Sequence, residues 1–129
     1  MAARGAKHIL IVDDDEDYRT TLSEMVSSEL PFAKVSQAGS AEAALEMIRA
    51  EPADLLIVDY RLPHQDGIAV VEAARTILPK AKFLMLSAEP DQYLLIKAGC
   101  TVLSKPVEPN VLTRMIRRLL APSAAKPKR

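Results

Sequence analysis

The residues able to do chemistry cluster at a few abrupt transitions. The run ILIV at residues 9–12 ends in Asp13, Asp14 and Asp15. A second run, LLIV at 55–58, ends in Asp59. A third, FLML at 83–86, ends in Ser87, and VLS at 102–104 ends in Lys105 and Pro106. Aliphatic runs of this kind are built for burial and aspartate is not, so each acid must sit where a buried element emerges. Carboxylates brought within a few ångströms repel one another, and desolvation raises their pKa values. A hard divalent cation removes that repulsion. Oxygen donors with room for retained water suit Mg²⁺, with Mn²⁺ as a substitute. A lone aspartate after a strand is most often a turn residue or a helix N-cap. The weight of the reading lies in the order: acidic pair, acid, hydroxyl, lysine, each at the end of a successive apolar run.

The elements that must position these groups follow from hydrophobic period. Strands are expected at His8–Val12, in AKVSQA (33–38), DLLIVD (54–59), KFLMLS (82–87) and CTVLSK (100–105). Helical spacing recurs between them: Tyr18, Leu22, Met25 and Val26; Ala41, Ala44, Leu45 and Ile48 behind the N-cap candidate Ser40; Ile68, Val71, Ala74 and Leu78. PDQYLLIKAG (90–99) has room for only a short helix before Gly99. A last helix carries Val111, Leu112, Met115, Ile116, Leu119 and Leu120 on one side and Arg114, Arg117 and Arg118 on the other. Strand and helix alternate five times along the chain. Strands apolar on both faces belong to a parallel sheet covered on both sides. The predicted fold is α/β: a doubly wound five-stranded parallel sheet of flavodoxin-like order 2-1-3-4-5, a three-layer sandwich. In that order the first and third strands are neighbours, so Asp13, Asp14 and Asp59 converge where ligands bind, beyond the carboxyl ends of the strands.

Composition narrows the rest. At 129 residues and 49% hydrophobic content the chain holds one core and not two. The expected layout is a flexible N-terminus over 1–7, one domain over 8–121, and a disordered basic tail or linker start over 122–129. Formal net charge is zero, so no global field drives the chain to nucleic acid or membrane. No apolar run approaches the ~20 residues of a membrane span, MAARGAKH lacks the apolar core of a secretory signal, and Cys100 is the only cysteine. A cytoplasmic domain with Cys100 as a small apolar residue is the expectation. His8 is read as structural or solvated at the opposite end of the sheet, His64 as an exposed loop residue, and Asp15 and Asp17 as favourable charges at a helix start.

The segments LIVDDD, LLIVDYRLPHQDG, LMLSAE and VLSKP resemble the receiver domain of two-component response regulators, from about His8 to Leu120. The resemblance implies that Asp59 is a phosphoacceptor, served by a sensor histidine kinase or a histidine phosphotransfer protein. It implies that Asp14 ligates Mg²⁺ directly, that Asp13 acts through a metal-bound water, and that the main-chain carbonyl of Arg61 is a further ligand. Ser87 and Lys105 would each bind a phosphoryl oxygen, with Pro106 completing the lysine motif. Ala88, being small, leaves a path to Asp59, and Arg61 and Glu89 flank that path, where an ion pair between them would tune acyl phosphate hydrolysis. Such a domain signals; it assists its own phosphorylation and dephosphorylation without being a turnover enzyme.

Two departures concern output. The aromatic that many receivers carry three residues before the lysine is Val102 here. The span from Ser87 to Lys105 is about four residues shorter than the family norm, close to one helical turn. Both fall on the face that many receivers use for dimerisation or partner binding, so a shortened or partly unfolded fourth helix, atypical output toward an unknown downstream protein, and Tyr93 as a replacement aromatic are expectations. Two other functions compete with this one. A phosphatase of the haloacid dehalogenase type wants a second acid where Arg61 stands. A phosphorylation-independent interaction module leaves the retained acid, hydroxyl and lysine unexplained.

Overall fold

The computed structural model describes residues 6–122. Its elements run β1 (Lys7–Val12), α1 (Glu16–Glu29), β2 (Ala33–Ala38), α2 (Ala41–Ala50), β3 (Leu55–Asp59), α3 (Gly67–Ile77), β4 (Lys82–Ser87), α4 (Gln92–Lys97), β5 (Thr101–Ser104) and α5 (Pro109–Leu120). The sheet has the order β2-β1-β3-β4-β5, with every pairing parallel.

Alternation along the strands divides the core in two. Ile9, Ile11, Leu55, Ile57, Leu84 and Leu86 meet Leu22 and Val26 of α1 and Leu112 and Ile116 of α5. Leu10, Val12, Leu56, Val58 and Met85 meet Ala41, Ala44 and Ile48 of α2, Val70, Val71 and Ala74 of α3, and Leu94 of α4. This is why β1 and β3 read as unbroken aliphatic runs: successive residues enter opposite layers, and both are dry. Each fully buried aliphatic contributes about 1.5–3 kcal/mol, which fixes the register of the strands and hence the height at which their terminal residues emerge.

Helix starts are held by side-chain caps. Asp15 accepts from Tyr18 N–H, Ser40 from Ala43, Asp66 from Ala69, Asp91 from Leu94 and Glu108 from Val111. Ser40 caps as expected. Of the two acids foreseen at the start of α1, Asp15 is the cap and Asp17 lies in the first turn, where the positive end of the helix dipole favours it.

Several details differ from the sequence reading. The strand begins at Lys7, so the last residue assigned to the flexible terminus pairs with Ala33 in the sheet; residues 1–5 and most of the expected tail lie outside the described residues. Of the two roles expected for His8, structural or solvated, the structure shows the first: it is a buried member of β1, its N–H donates to Asp54, and its ring is held by Pro52 carbonyl and Ser36 Oγ at 3.0 and 2.9 Å. β5 is shorter than CTVLSK: Cys100 and Lys105 flank it. Cys100 is half-buried, and burial pushes its thiol up despite the nearby Arg75.

The fourth helix is short, at 6 residues. Leu94 anchors it in the core, while Tyr93, Leu95 and Ile96 are 62%, 55% and 70% exposed. Gly99 ends the segment at φ 66°, with its carbonyl taken by the Arg75 guanidinium. That positive φ is open to glycine at little cost. No helix among the described residues is long and apolar enough to cross a membrane.

Candidate functional site

At the carboxyl edge of the sheet the chain gathers Asp13, Asp14, Asp59, Ser87 and Lys105. Asp13 follows β1, and its N–H donates to the Ala38 carbonyl of β2 at 3.1 Å. Its carboxylate accepts from Asp15 N–H at 2.9 Å, and its own carbonyl accepts from Arg19 Nη1 at 2.7 Å. Arg19 is itself braced by Gln37. Asp13 is thus locked at 2% exposure, whereas Asp14 beside it is exposed.

Asp59 is the last residue of β3 and pairs with Leu86. The chain must turn immediately after it. Tyr60 N–H stays on Leu86 carbonyl, and Gly67 N–H closes back onto Tyr60 carbonyl at 2.7 Å. A Cβ on residue 67 would stand 2.7 Å from the Asp59 carbonyl oxygen and 3.0 Å from Tyr60 Cα. Only glycine lets the loop fold this tightly against the strand end, and so fixes where Asp59 points. Arg61 and Asp66 bridge the mouth of that loop, and His64 within it is exposed with φ 74°.

Ser87 ends β4, 4% exposed. Its Oγ accepts from Glu89 N–H at 3.2 Å, which leaves its single O–H as a donor. Lys105 N–H bonds to Ser87 carbonyl at 2.8 Å, carrying the β4–β5 pairing one step past the strand. The Lys105 side chain then reaches back across the edge: Nζ lies 3.2 Å from Asp13 Oδ2 and 3.3 Å from Asp59 Oδ1.

Three carboxylates therefore face one ammonium. Asp13, Asp14 and Asp59 each offer an oxygen, all within 4.8 Å of one another. Burial first, and repulsion by Asp13 second, push the Asp59 carboxyl above the usual carboxylate range; Lys105 and a backbone N–H from Arg61 oppose this without cancelling it. Burial alone would lower the Lys105 ammonium, but attraction to Asp13 and Asp59 outweighs burial, and its pKa is raised. An acid pushed up by burial and by a second acid beside it sits in a site short of positive charge. The donors are all hard oxygens, buried at Asp13 and Asp59 and open to water at Asp14. That set fits a hard divalent cation which keeps part of its hydration shell.

The remaining expectations divide. Ala88 and Glu89 are exposed beside Ser87, and Pro106 follows Lys105 through a cis peptide bond. Val102 is partly buried against the layer formed by α2, α3 and α4. The Arg61–Glu89 ion pair is absent among the described residues. The Arg61 guanidinium lies 5.9 Å from the Tyr60 ring centroid instead; Arg61 and Glu89 are both exposed, where ordering two long groups returns little. Tyr93, expected as a replacement aromatic on the α4 face, is exposed there. The aromatic on Lys105 is Tyr18, whose ring centroid is 4.5 Å from Nζ. Period had placed Tyr18 on the apolar stripe of α1. The available signal was its position one turn beyond the Asp15 cap, close to the sheet edge.

Comparison with known proteins follows the same outline. The model of the response regulator receiver domain family matches residues 9–117. A probable chemotaxis protein CheY of Rhizobium etli is 35% identical over 104 residues, 76% of this chain and 80% of that protein. The transcriptional activator protein ExaE of Pseudomonas putida is 33% identical over 117 residues, 88% of this chain but 55% of that protein. A solved structure of a putative response regulator from Chloroflexus aurantiacus superposes with a TM-score of 0.80 at 31% identity, over 89% of this chain and 98% of that one.

Proposed function

This chain belongs to the response regulator receiver domain family of two-component signalling, and on that premise we propose that Asp59 takes a phosphoryl group from a phosphohistidine on a sensor histidine kinase or histidine phosphotransfer protein. The observation that carries the reading is the Lys105 ammonium held 3.3 Å from the Asp59 carboxylate, with Ser87 on the adjoining strand end. Receiver domains bind Mg²⁺ at a cluster of acids; Asp13, Asp14 and Asp59 with the main-chain carbonyl of Arg61 are the proposed ligands, and the cation would supply positive charge against the incoming phosphoryl oxygens. The chain's own groups do the rest. An Asp59 oxygen forms the bond to phosphorus as the phosphorus–nitrogen bond of the donor imidazole breaks, and the imidazole leaves with the bonding pair. Such transfer needs an in-line nucleophile and neutralisation of the equatorial oxygens. Lys105 serves as a point charge on one oxygen and the Ser87 O–H as a donor to another. The exposed, small Ala88 keeps the approach open.

Incubation with acetyl phosphate tests this. In Mg²⁺ the intact mass should rise by one phosphoryl group; with excess chelator the adduct should fall at least tenfold. Equal labelling with and without chelator would remove the metal from the scheme.

We also propose that output departs from an aromatic-swing mechanism. Val102 has no ring to turn inward, and α4 is tied to the core chiefly by Leu94 and Ala98. Conformational response should then appear as altered order in α4. Hydrogen exchange over residues 90–99 is expected to change on phosphorylation; equal, strong protection in both states would exclude α4 as the responding element.

A further inference from the structure

We propose that Tyr18 is a positioning residue for Lys105: its ring face holds the ammonium at the height of the Asp59 carboxylate. The proposal rests on the phosphoacceptor reading above and deepens it. Tyr18 lies in the first turn of α1, where its N–H is fixed to the Asp15 carboxylate at 3.1 Å. Its side chain packs against the core layer to which Leu22 and Val26 of α1 and Leu112 and Ile116 of α5 belong. Lys105 Nζ sits 4.5 Å from the ring centroid, well inside the reach of a cation–π attraction. The phenol oxygen is buried with no hydrogen-bond partner among the described residues, so the side chain is not held there by its hydroxyl. Its one polar role is the ring face turned to the lysine.

The need for such a face follows from the lysine. Its ammonium is a compact charge on a flexible stem with freely rotating donors. In the resting chain Asp13 and Asp59 hold it. Those same carboxylates are the groups that a cation and a phosphoryl group would engage, and their hold on Lys105 weakens when they do. The ring quadrupole is not consumed by either event. Tyr18 keeps the ammonium in place when its anionic partners are otherwise occupied.

A double-mutant cycle reads this directly. Acetyl phosphate labelling in Mg²⁺ is followed by intact mass for the unmodified chain, Tyr18→Leu, Tyr18→Phe, Lys105→Ala and Tyr18→Leu with Lys105→Ala. Tyr18→Leu, which keeps apolar bulk without a π face, is expected to label about three- to tenfold more slowly, and Tyr18→Phe to restore the rate. In the Lys105→Ala background, Tyr18→Leu should change nothing, because the group it positions is gone. Tyr18→Met serves in place of Tyr18→Leu should the leucine variant lose its circular dichroism. Labelling by Tyr18→Leu at the unmodified rate, or an equal slowing in both backgrounds, would overturn the proposal. No labelling of the unmodified chain would defeat the phosphoacceptor reading itself, and this proposal with it.

Discussion

Asp59→Asn should abolish the phosphoryl adduct in acetyl phosphate and Mg²⁺, and at the same time make the metal-free protein more stable at neutral pH. The first effect follows from the nucleophile proposed. An amide oxygen carries no charge and forms no stable acyl phosphate, so intact mass should remain at the unmodified value. The second follows from the environment of Asp59. Burial and the Asp13 charge raise its pKa in the folded chain, whereas the unfolded chain holds it near the ordinary carboxylate value. Between those two values the folded state binds the extra proton, and stability falls as pH rises through that window. Above the folded pKa the whole penalty is present; below the ordinary value it is gone. Asparagine is nearly isosteric and never ionises. The stability gap between variant and unmodified chain, read by denaturant unfolding in chelator, should therefore be largest at neutral pH and shrink as the solution is acidified. A gap independent of pH would mean that Asp59 is not under the strain its surroundings imply.

Lys105→Ala is expected to act in the opposite direction on stability and in the same direction on phosphorylation. The ammonium stands between Asp13, 2% exposed, and Asp59, 8% exposed. Removing it leaves two buried carboxylates facing each other with no cation, a change that costs about 3–5 kcal/mol where burial is complete. The lysine side chain is itself 20% exposed, so screening reduces this to about 2 kcal/mol. Mg²⁺ should recover more stability in Lys105→Ala than in the unmodified chain, because the metal then replaces the ammonium that paired with the Asp13 and Asp59 carboxylates. Phosphorylation by acetyl phosphate should slow at least tenfold, since one equatorial oxygen loses its counter-charge. Thermal unfolding with and without Mg²⁺ checks the first pair of expectations, and the labelling rate checks the last. An equal Mg²⁺ increment in both proteins would show that the lysine and the metal do not answer the same excess of negative charge.

Both expectations concern residues that the sequence singled out, because strands obey a simple period. In the central strands of a two-sided parallel sheet, here β1, β3 and β4, nearly every residue is buried, so the end of each aliphatic run marks the sheet edge and the acid or hydroxyl there emerges at it; Lys105 reaches the same edge from the half-buried edge strand β5. Asp13, Asp59, Ser87 and Lys105 were legible in this way, as was the order 2-1-3-4-5 that makes β1 and β3 neighbours. The caps at Ser40 and Asp15 were legible too, being local contacts with residues three positions on.

Tertiary structure decided what depends on direction across the chain. Lys105 turns to Asp13, 92 residues away, and not outward to solvent, because a buried excess of carboxylate draws it. Tyr18 is a ring on the apolar stripe of α1 by period, and becomes a lysine platform only because α1 packs beside the β5–α5 turn. The family resemblance sets Arg61 and Glu89 on either side of the path to Asp59, yet both are exposed, and water competes too well for an ion pair between them to hold. Strand period and helix caps are short-range and sterically enforced, so residue order alone settles them. The partner of a flexible charged side chain is a balance of desolvation and attraction set by everything around it, and only the folded chain fixes that.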